Sequence, residues 1–291
     1  MEHAHTSGQQ GTHAYTLTEL CGYYGISRQA HHQMRRRQAQ RSEEAETIVA
    51  AVQKIRHQHR RMGTRKLWQE LPAILEAQGI TIGRDRLFDL LRTRNLLLTP
   101  VRRSYRTTWA GTWRCDNLLA AMAVTAPNQA WVSDITYLAT EEGFRYLVLI
   151  TDVFSRRIMG FDLSDSLAVE GLSRALDMAL AQVPTLPPGL VFHSDHGIQY
   201  TCHAFRHQLA QRQIRSSMGD VGNCYDNALA ERLNGILKLE YGLDGCFVSH
   251  RHALRAVQQA VYLYNVERPH LALNYQKPDH VYHQHLRFSL N

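Results

Sequence analysis

Between residues 130 and 164, three runs rich in β-branched and aromatic residues follow one another almost without a gap. They are AWVSDITYL (130–138), RYLVLITDVF (145–154) and RRIMGFDLS (156–164). Gly143 separates the first two and Ser155 sits between the next pair. Spacing this close predicts an antiparallel meander. A helical stretch (169–182), a fourth strand LVFHSD (190–195), a helix over about 202–212, a short strand from Ile214 to Ser217 and a long helix over about 225–241 follow. The order β-β-β-α-β-α-β-α predicts an α/β unit, a mixed five-stranded sheet flanked by helices.

The region before this sheet differs in charge and in period. Residues 1–114 hold 19 Lys and Arg against 9 Asp and Glu, a net +10, whereas residues 115–291 hold 14 against 17, a net −3. A basic third joined to a slightly acidic remainder points to a polyanion-binding region attached to something else. With 44% hydrophobic residues the chain is not disordered as a whole. No apolar run is long enough to span a membrane, and MEHAHTSGQQ lacks a signal-peptide core, so a cytoplasmic protein is expected. The five cysteines are scattered without a C-x-x-C, which argues against a disulfide framework or a cysteine-based zinc site.

Helical signals fill the basic region. In TLTELCGYYGISRQAHHQMRRR (16–37), Thr16 or Thr18 caps a short helix, Gly25 supplies a turn and Ser27 caps a second helix running into Arg35, Arg36 and Arg37. That order fits a helix-turn-helix and fits an ordinary helical hairpin equally well. Three more helices are expected. One runs from about Glu46 to Arg60, one carries Leu67, Trp68, Leu71 and Leu75 before Gly79, and one is RDRLFDLLRTRN. The last puts Leu87, Leu90 and Leu91 inward and Arg84, Arg86, Arg92 and Arg94 outward, where they suit DNA phosphates or simply solvent. The stretch 99–117, with Arg102 and Arg103 among aromatics, reads as a basic linker that itself touches DNA.

Three acids stand out by placement. Asp134 lies inside the first strand, where Asp is disfavoured. Asp195 ends the fourth strand in HSDHGIQY, where α/β sheets present ligand groups. Glu231 lies on the long helix, with Asn227, Asn234 and Lys238 on the same polar stripe and Leu229, Leu233 and Ile236 on the opposite face. Each acid alone has an ordinary explanation as an edge residue, a helix cap or a solvated side chain. Together, two strand acids and one helix acid form a set that can hold Mg²⁺, which takes oxygen ligands and suits phosphodiester chemistry.

These residues resemble the DDE triad of retroviral-integrase-like transposases. Thirty-five residues separate Asp195 from Glu231, the D-D-35-E spacing. PNQAWVSDITYL, HSDHGIQY, the GxxxDNAxxE pattern from Gly222 to Glu231 with Lys238 after it, and YNVERPHLALNYQKP (264–278) resemble the OrfB transposases of the insertion-sequence-3 family. MGTRKLWQEL and RDRLFDLLRTRNLL resemble the helix-turn-helix that precedes the core there. The resemblance implies an RNase H-like core in which Asp134, Asp195 and Glu231 bind Mg²⁺ (or Mn²⁺). It implies DNA cleavage at element ends, then strand transfer by the freed 3′-hydroxyl. It places Lys238 near end DNA, with Asn227, Asn234 and Arg268 in support. The partners it implies are double-stranded DNA at element ends and target, a homo-oligomer on DNA, and an upstream product joined by fusion or supplied separately. The expected location is the bacterial nucleoid.

The resulting division has a flexible start with a helix-turn-helix or plain helical hairpin (1–40), a helical, helix-turn-helix-like DNA-binding domain (41–98), a basic linker (99–120), an integrase-like core (121–243) and a helical extension of the core (244–291). A non-catalytic DNA-binding regulator of such an element is the alternative the basic half could support alone. A plain RNase H-like nuclease is the other, and the front helices argue against it.

Overall fold

The structure is a computed structural model and describes residues 16–99, 113–183, 185–219 and 227–288. The chain begins with two helices, α1 (Leu17–Tyr23) and α2 (Arg28–Gln58). Thr16 and Glu19 form a reciprocal capping box on α1, and Ser27 caps α2 by accepting the Ala30 amide at 3.0 Å. Gly25, at φ +66°, makes the turn between them. The two separate helices expected over 27–37 and 46–60 are a single helix that crosses residues 40 and 41 without a break. Nothing between Gln38 and Glu46 interrupts it, since Gln, Ala, Arg and Glu all sustain a helix and neither Gly nor Pro occurs there.

α3 (Thr64–Glu70), α4 (Pro72–Leu75) and a 3₁₀ turn (Glu76–Gln78) follow, closed by Gly79 at φ +65°. α5 (Arg84–Thr93) completes a small unit. Its core is Ile48, Val52, Ile55, Met62, Leu67, Leu71, Leu75, Leu87 and Leu91, all buried.

The sheet starts with β1 (Ala130–Thr140), β2 (Gly143–Asp152) and β3 (Ile158–Ser164), paired antiparallel in sequence order. The Glu141-Glu142 hairpin is closed by Thr140 opposite Gly143, and Thr140 Oγ1 donates to the Gly143 carbonyl at 2.6 Å. The turn after β2 is held by the buried Asp152 carboxylate. It accepts from Ser155 N (2.7 Å), Ser155 Oγ (2.6 Å) and Asn128 N (2.7 Å). α6 (Val169–Ala181) leads to β4 (Val191–Ser194), which pairs parallel to β1. α7 (Ile198–Thr201) and α8 (His203–Gln211) lead to β5 (Arg215–Met218), parallel to β4. The order is β3-β2-β1-β4-β5, the expected mixed sheet.

α9 (Ala228–Tyr241) is followed by a strand the sequence did not announce, β6 (Cys246–Phe247), which pairs with Ala139 and Thr140 at the far end of β1. α10 (His250–Tyr262), a π-helical turn (Leu263–Glu267) and α11 (Pro278–Phe288) finish the described chain. One face of the sheet packs on α6, α8 and Tyr282 of α11, around Trp131, Ile150, Leu176 and Phe192. The other packs on α9 and α10, around Leu147, Leu149, Leu233, Leu237 and Val257. Helices on both faces explain why residues 130–133 are buried on both sides instead of alternating. Among the described residues no helix is long and apolar enough to cross a membrane.

Candidate active site

β1 is the central strand, and Asp134 projects from it opposite Leu149 of β2. Its carboxylate accepts from the Ile135 amide (Oδ1, 2.9 Å) and from Asn234 Nδ2 of α9 (Oδ2, 2.7 Å). Burial, and after it the neighbouring Asp195, push Asp134 up to about 7 against those two hydrogen bonds. Asp195 follows β4, which lies alongside β1, so the parallel pairing brings the two acids to one end of the sheet. Burial raises Asp195 as well, opposed by the Gly197 amide, which donates to Oδ1 at 2.9 Å. A methyl group on Gly197 would lie 3.0 Å from that same oxygen.

The acids share a cleft of about 360 Å³ with Tyr137, Phe144, Ile198 and Tyr200. Tyr200 underpins it: its hydroxyl meets Ser133 Oγ at 2.9 Å, and burial raises it far above the ordinary phenol range. His196 Nε2 donates to the Gly219 carbonyl at 2.6 Å and fixes the loop after Asp195.

The polar stripe of α9 faces this site. Asn234 and Asn227 are both 7% exposed, and Asn227 Nδ2 donates to the Ser133 carbonyl at 3.3 Å. Among the described residues, the Oδ1 atoms of both amides are buried without a hydrogen-bond partner. Lys238 Nζ sits 5.1 Å over the Tyr137 ring. Burial lowers Lys238, and Asp134 and Asp244 counter that shift. Glu231 stands in the first turn of α9, exposed, close enough to add to the repulsion on Asp134. Among the described residues no three acids, histidines or cysteines converge at metal-ligand distance. The structure thus brings Asp134 and Asp195 together and leaves Glu231 at the rim. Residues 220–226, which lead into α9 and hold most of the GxxxDNA word, lie outside the described residues.

Other expected residues go elsewhere. Arg268 is not at the cleft. It is 3% exposed and paired through Nε and Nη2 with Glu240 at 2.7 and 2.8 Å, so its part is to anchor the end of α9. Asn265 Oδ1 accepts the Ile158 amide at 2.9 Å and its Nδ2 donates to the Ile158 carbonyl at 3.0 Å, a purely structural clasp. Arg84, Arg86, Arg92 and Arg94 are exposed, as expected, but each pairs with an acid: Asp85, Glu44, Asp89 and Glu46 respectively. Arg102 and Arg103 lie outside the described residues. Tyr200 was missed although HSDHGIQY contains it, because a tyrosine five residues after an acid carries no signal by itself.

Comparison with known proteins agrees with this architecture. Residues 124–224 match a family model described as an integrase core domain, and residues 212–278 match a second model of the same description. A 31 kDa protein of insertion element IS600 from Shigella sonnei is 34% identical over 89% of this chain and 96% of its own length. The transposase for insertion sequence element IS904 from Lactococcus lactis is 30% identical over 84% of this chain and 97% of its own. Transposase InsF for insertion sequence IS3A from Escherichia coli is 34% identical over 67% of both chains. The chain belongs to the insertion-sequence-3 family of DDE transposases. Its sheet is therefore the RNase H-like sheet of an integrase core, and the chain is a DNA transposase, a polynucleotidyl transferase. In this transposase the matched segment 124–278 holds the acid pair, the α9 stripe and the Glu240–Arg268 anchor alike.

Proposed function

We propose that the transposase cleaves DNA at the ends of its insertion sequence and joins the freed 3′-hydroxyl to target DNA, with Asp134, Asp195 and Glu231 holding Mg²⁺ or Mn²⁺. The observation that carries this reading is the pairing of Asp134 and Asp195 in one cleft, where burial first and the neighbouring Asp195 second raise Asp134 to about 7. The donor set fits a hard divalent cation: carboxylate oxygens from Asp134 and Asp195 at one cleft, with the Asn234 amide on Asp134, its Oδ1 without a partner among the described residues. Such ions, when bound, polarise the phosphoryl oxygens and make an attacking oxygen more acidic.

The chain's own residues do the rest. Asn234 and the Ile135 amide fix both oxygens of Asp134, and Gly197 fixes Asp195, so the acids are preorganised. Lys238 supplies a positive charge at the cleft wall for a DNA phosphate. In cleavage, water attacks phosphorus and the bond to the 3′-oxygen breaks, leaving a 3′-hydroxyl on the element end and a 5′-phosphate on the flank. In transfer, that 3′-hydroxyl oxygen attacks a target phosphodiester and displaces the target's own 3′-oxygen, which takes up, by way of solvent, the proton the attacking hydroxyl gives up. No carboxylate becomes covalently attached. Joining two ends calls for a homo-oligomer on DNA, and an upstream product joined by fusion or supplied in trans is its further partner.

The test is a labelled duplex carrying one element end, incubated with the protein and Mg²⁺ or with EDTA. Metal-dependent nicking that leaves a 3′-hydroxyl is expected. Asp195→Asn and Glu231→Gln should keep end binding and lose at least about a hundredfold in cleavage, as removal of a transition-state stabilising group does. Normal cleavage by either variant overturns its assignment.

A further inference from the structure

Arg84, Arg86 and Arg92 of α5 and Arg94 at its end were expected to contact DNA, yet each is paired with a neighbouring carboxylate. The unneutralised charge lies elsewhere. From Leu20 to Ser42 the chain holds Arg28, Arg35, Arg36, Arg37 and Arg41 and no Asp or Glu. None of these five forms an ion pair among the described residues.

Their setting is as unusual as their charge. From Arg28 to Glu43 every residue of α2 except His31 is exposed, and burial against the body begins only at Ile48. The first half of α2 is thus an arm of about 24 Å that packs on α1 and, among the described residues, buries none of its own side chains. A helical arm that is polar all round and stands off the body calls for a partner. At its root α1, the Gly25 turn and the Ser27 cap reproduce the order of a helix-turn-helix, whose second helix enters the major groove. Tyr23 and Tyr24 are 85% and 71% exposed beside the start of α2, where their hydroxyls can reach sugar and phosphate.

We infer that the α1–α2 hairpin is a duplex-DNA-reading arm, with α2 from Arg28 to Arg41 laid in the major groove and its arginines on phosphates and base edges. The charge decides the occupant: five unpaired cations without an acid complement a polyanion, whereas a second copy of the same arm would meet it with like charge. The groove is wide enough for one helix, and an arm exposed all round can contact both of its walls. The inference deepens the proposed function, since it names the surface that brings DNA to the acids.

The test is a binding titration in EDTA, where nothing is cleaved. The probes are a 30-base-pair duplex carrying the element end and a scrambled duplex of the same length, measured from about 50 to 200 mM salt. The combined variant Arg35→Ala, Arg36→Ala, Arg37→Ala should flatten the slope of log K against log salt by about 2–3, since each phosphate contact contributes about 0.9. Its preference for the element end should fall as well. Combined Arg84→Ala and Arg86→Ala should change the slope by less than one unit. Alanine is the better helix former, so the arm stays folded, which circular dichroism checks. A Lys-for-Arg triple variant should restore the slope. An unchanged slope in the alanine variant overturns the inference, and so does a change in sedimentation without DNA at constant slope, which would mark the arm as a contact between copies. Neither result bears on Asp134 and Asp195, whose cleavage assay stands separately.

Discussion

His270 lies where the tail of the chain returns to the core, its ring edge-on to Tyr264 with centroids 6.4 Å apart. Burial first, then the charges of Arg268, Arg156 and Lys66, hold its pKa down to about 4 from 6.5. Between those values the unfolded chain takes up a proton that the folded chain refuses. The stability it contributes is therefore complete above pH 6.5 and disappears as pH falls toward 4. Urea midpoints should drop over that window, and His270→Gln should make the profile flatter there. Equal slopes in the two proteins would mean His270 is not responsible. At the same scale, Gly197 explains why a loop beside Asp195 needs glycine without unusual backbone angles. The space is taken by the carboxylate oxygen itself, 3.0 Å from where a Cβ would sit.

α6 shows how tightly one element can be fitted to another. It lies on β3 with Gly171, Leu172, Ala175, Leu176 and Ala179 buried, mostly small residues that let the helix approach. A Cβ on Gly160 of β3 would fall 2.1 Å from the Ala175 carbonyl oxygen and 2.9 Å from the Ala179 nitrogen, both backbone atoms. Gly160→Ala should therefore destabilise the core by at least roughly 1–3 kcal/mol, read from chemical denaturation. A loss below about 0.5 kcal/mol would show that α6 slides to make room. Elements of this kind were readable beforehand, because closely spaced β-branched and aromatic runs mark the meander and apolar residues keep a period of 3.6 in α5 and α6. So were the two strand acids, since a carboxylate inside or at the end of a strand breaks that pattern visibly. The continuity of α2 was not readable. Gln38 to Glu46 has no apolar period, and only the absence of a breaker argues for a helix there. Nor was β6, since two residues carry no pattern. Arg268, Arg86 and Arg94 looked functional because their partners, Glu240, Glu44 and Glu46, come from other elements and are invisible to any local reading.

The helical front unit and the integrase core meet along one charged seam. Glu240, at the end of α9, accepts Lys66 of α3 at 3.1 Å and Arg268 at 2.7 Å, with side chains 18%, 16% and 3% exposed. His59 meets the Tyr241 hydroxyl at 3.1 Å and Glu267 at 3.4 Å, and Lys277 reaches Glu70 at 3.6 Å. Burial with Arg268 nearby brings Lys66 down to about 8, so Glu240 is what keeps its charge tolerable inside the seam. Glu240→Ala strands two buried cations and should destabilise the molecule by about 3–5 kcal/mol. Calorimetry should then show the single transition of the parent dividing into two; a single unshifted transition would deny the seam its part. The same helix that ends in Glu240 begins beside Glu231. This bears on how such elements diversify. A front unit exchanged between relatives carries its Lys66 away from the Glu240 it was matched to. A front unit grafted without its matching seam residues is therefore expected to dock poorly on the core, whatever the unit itself binds.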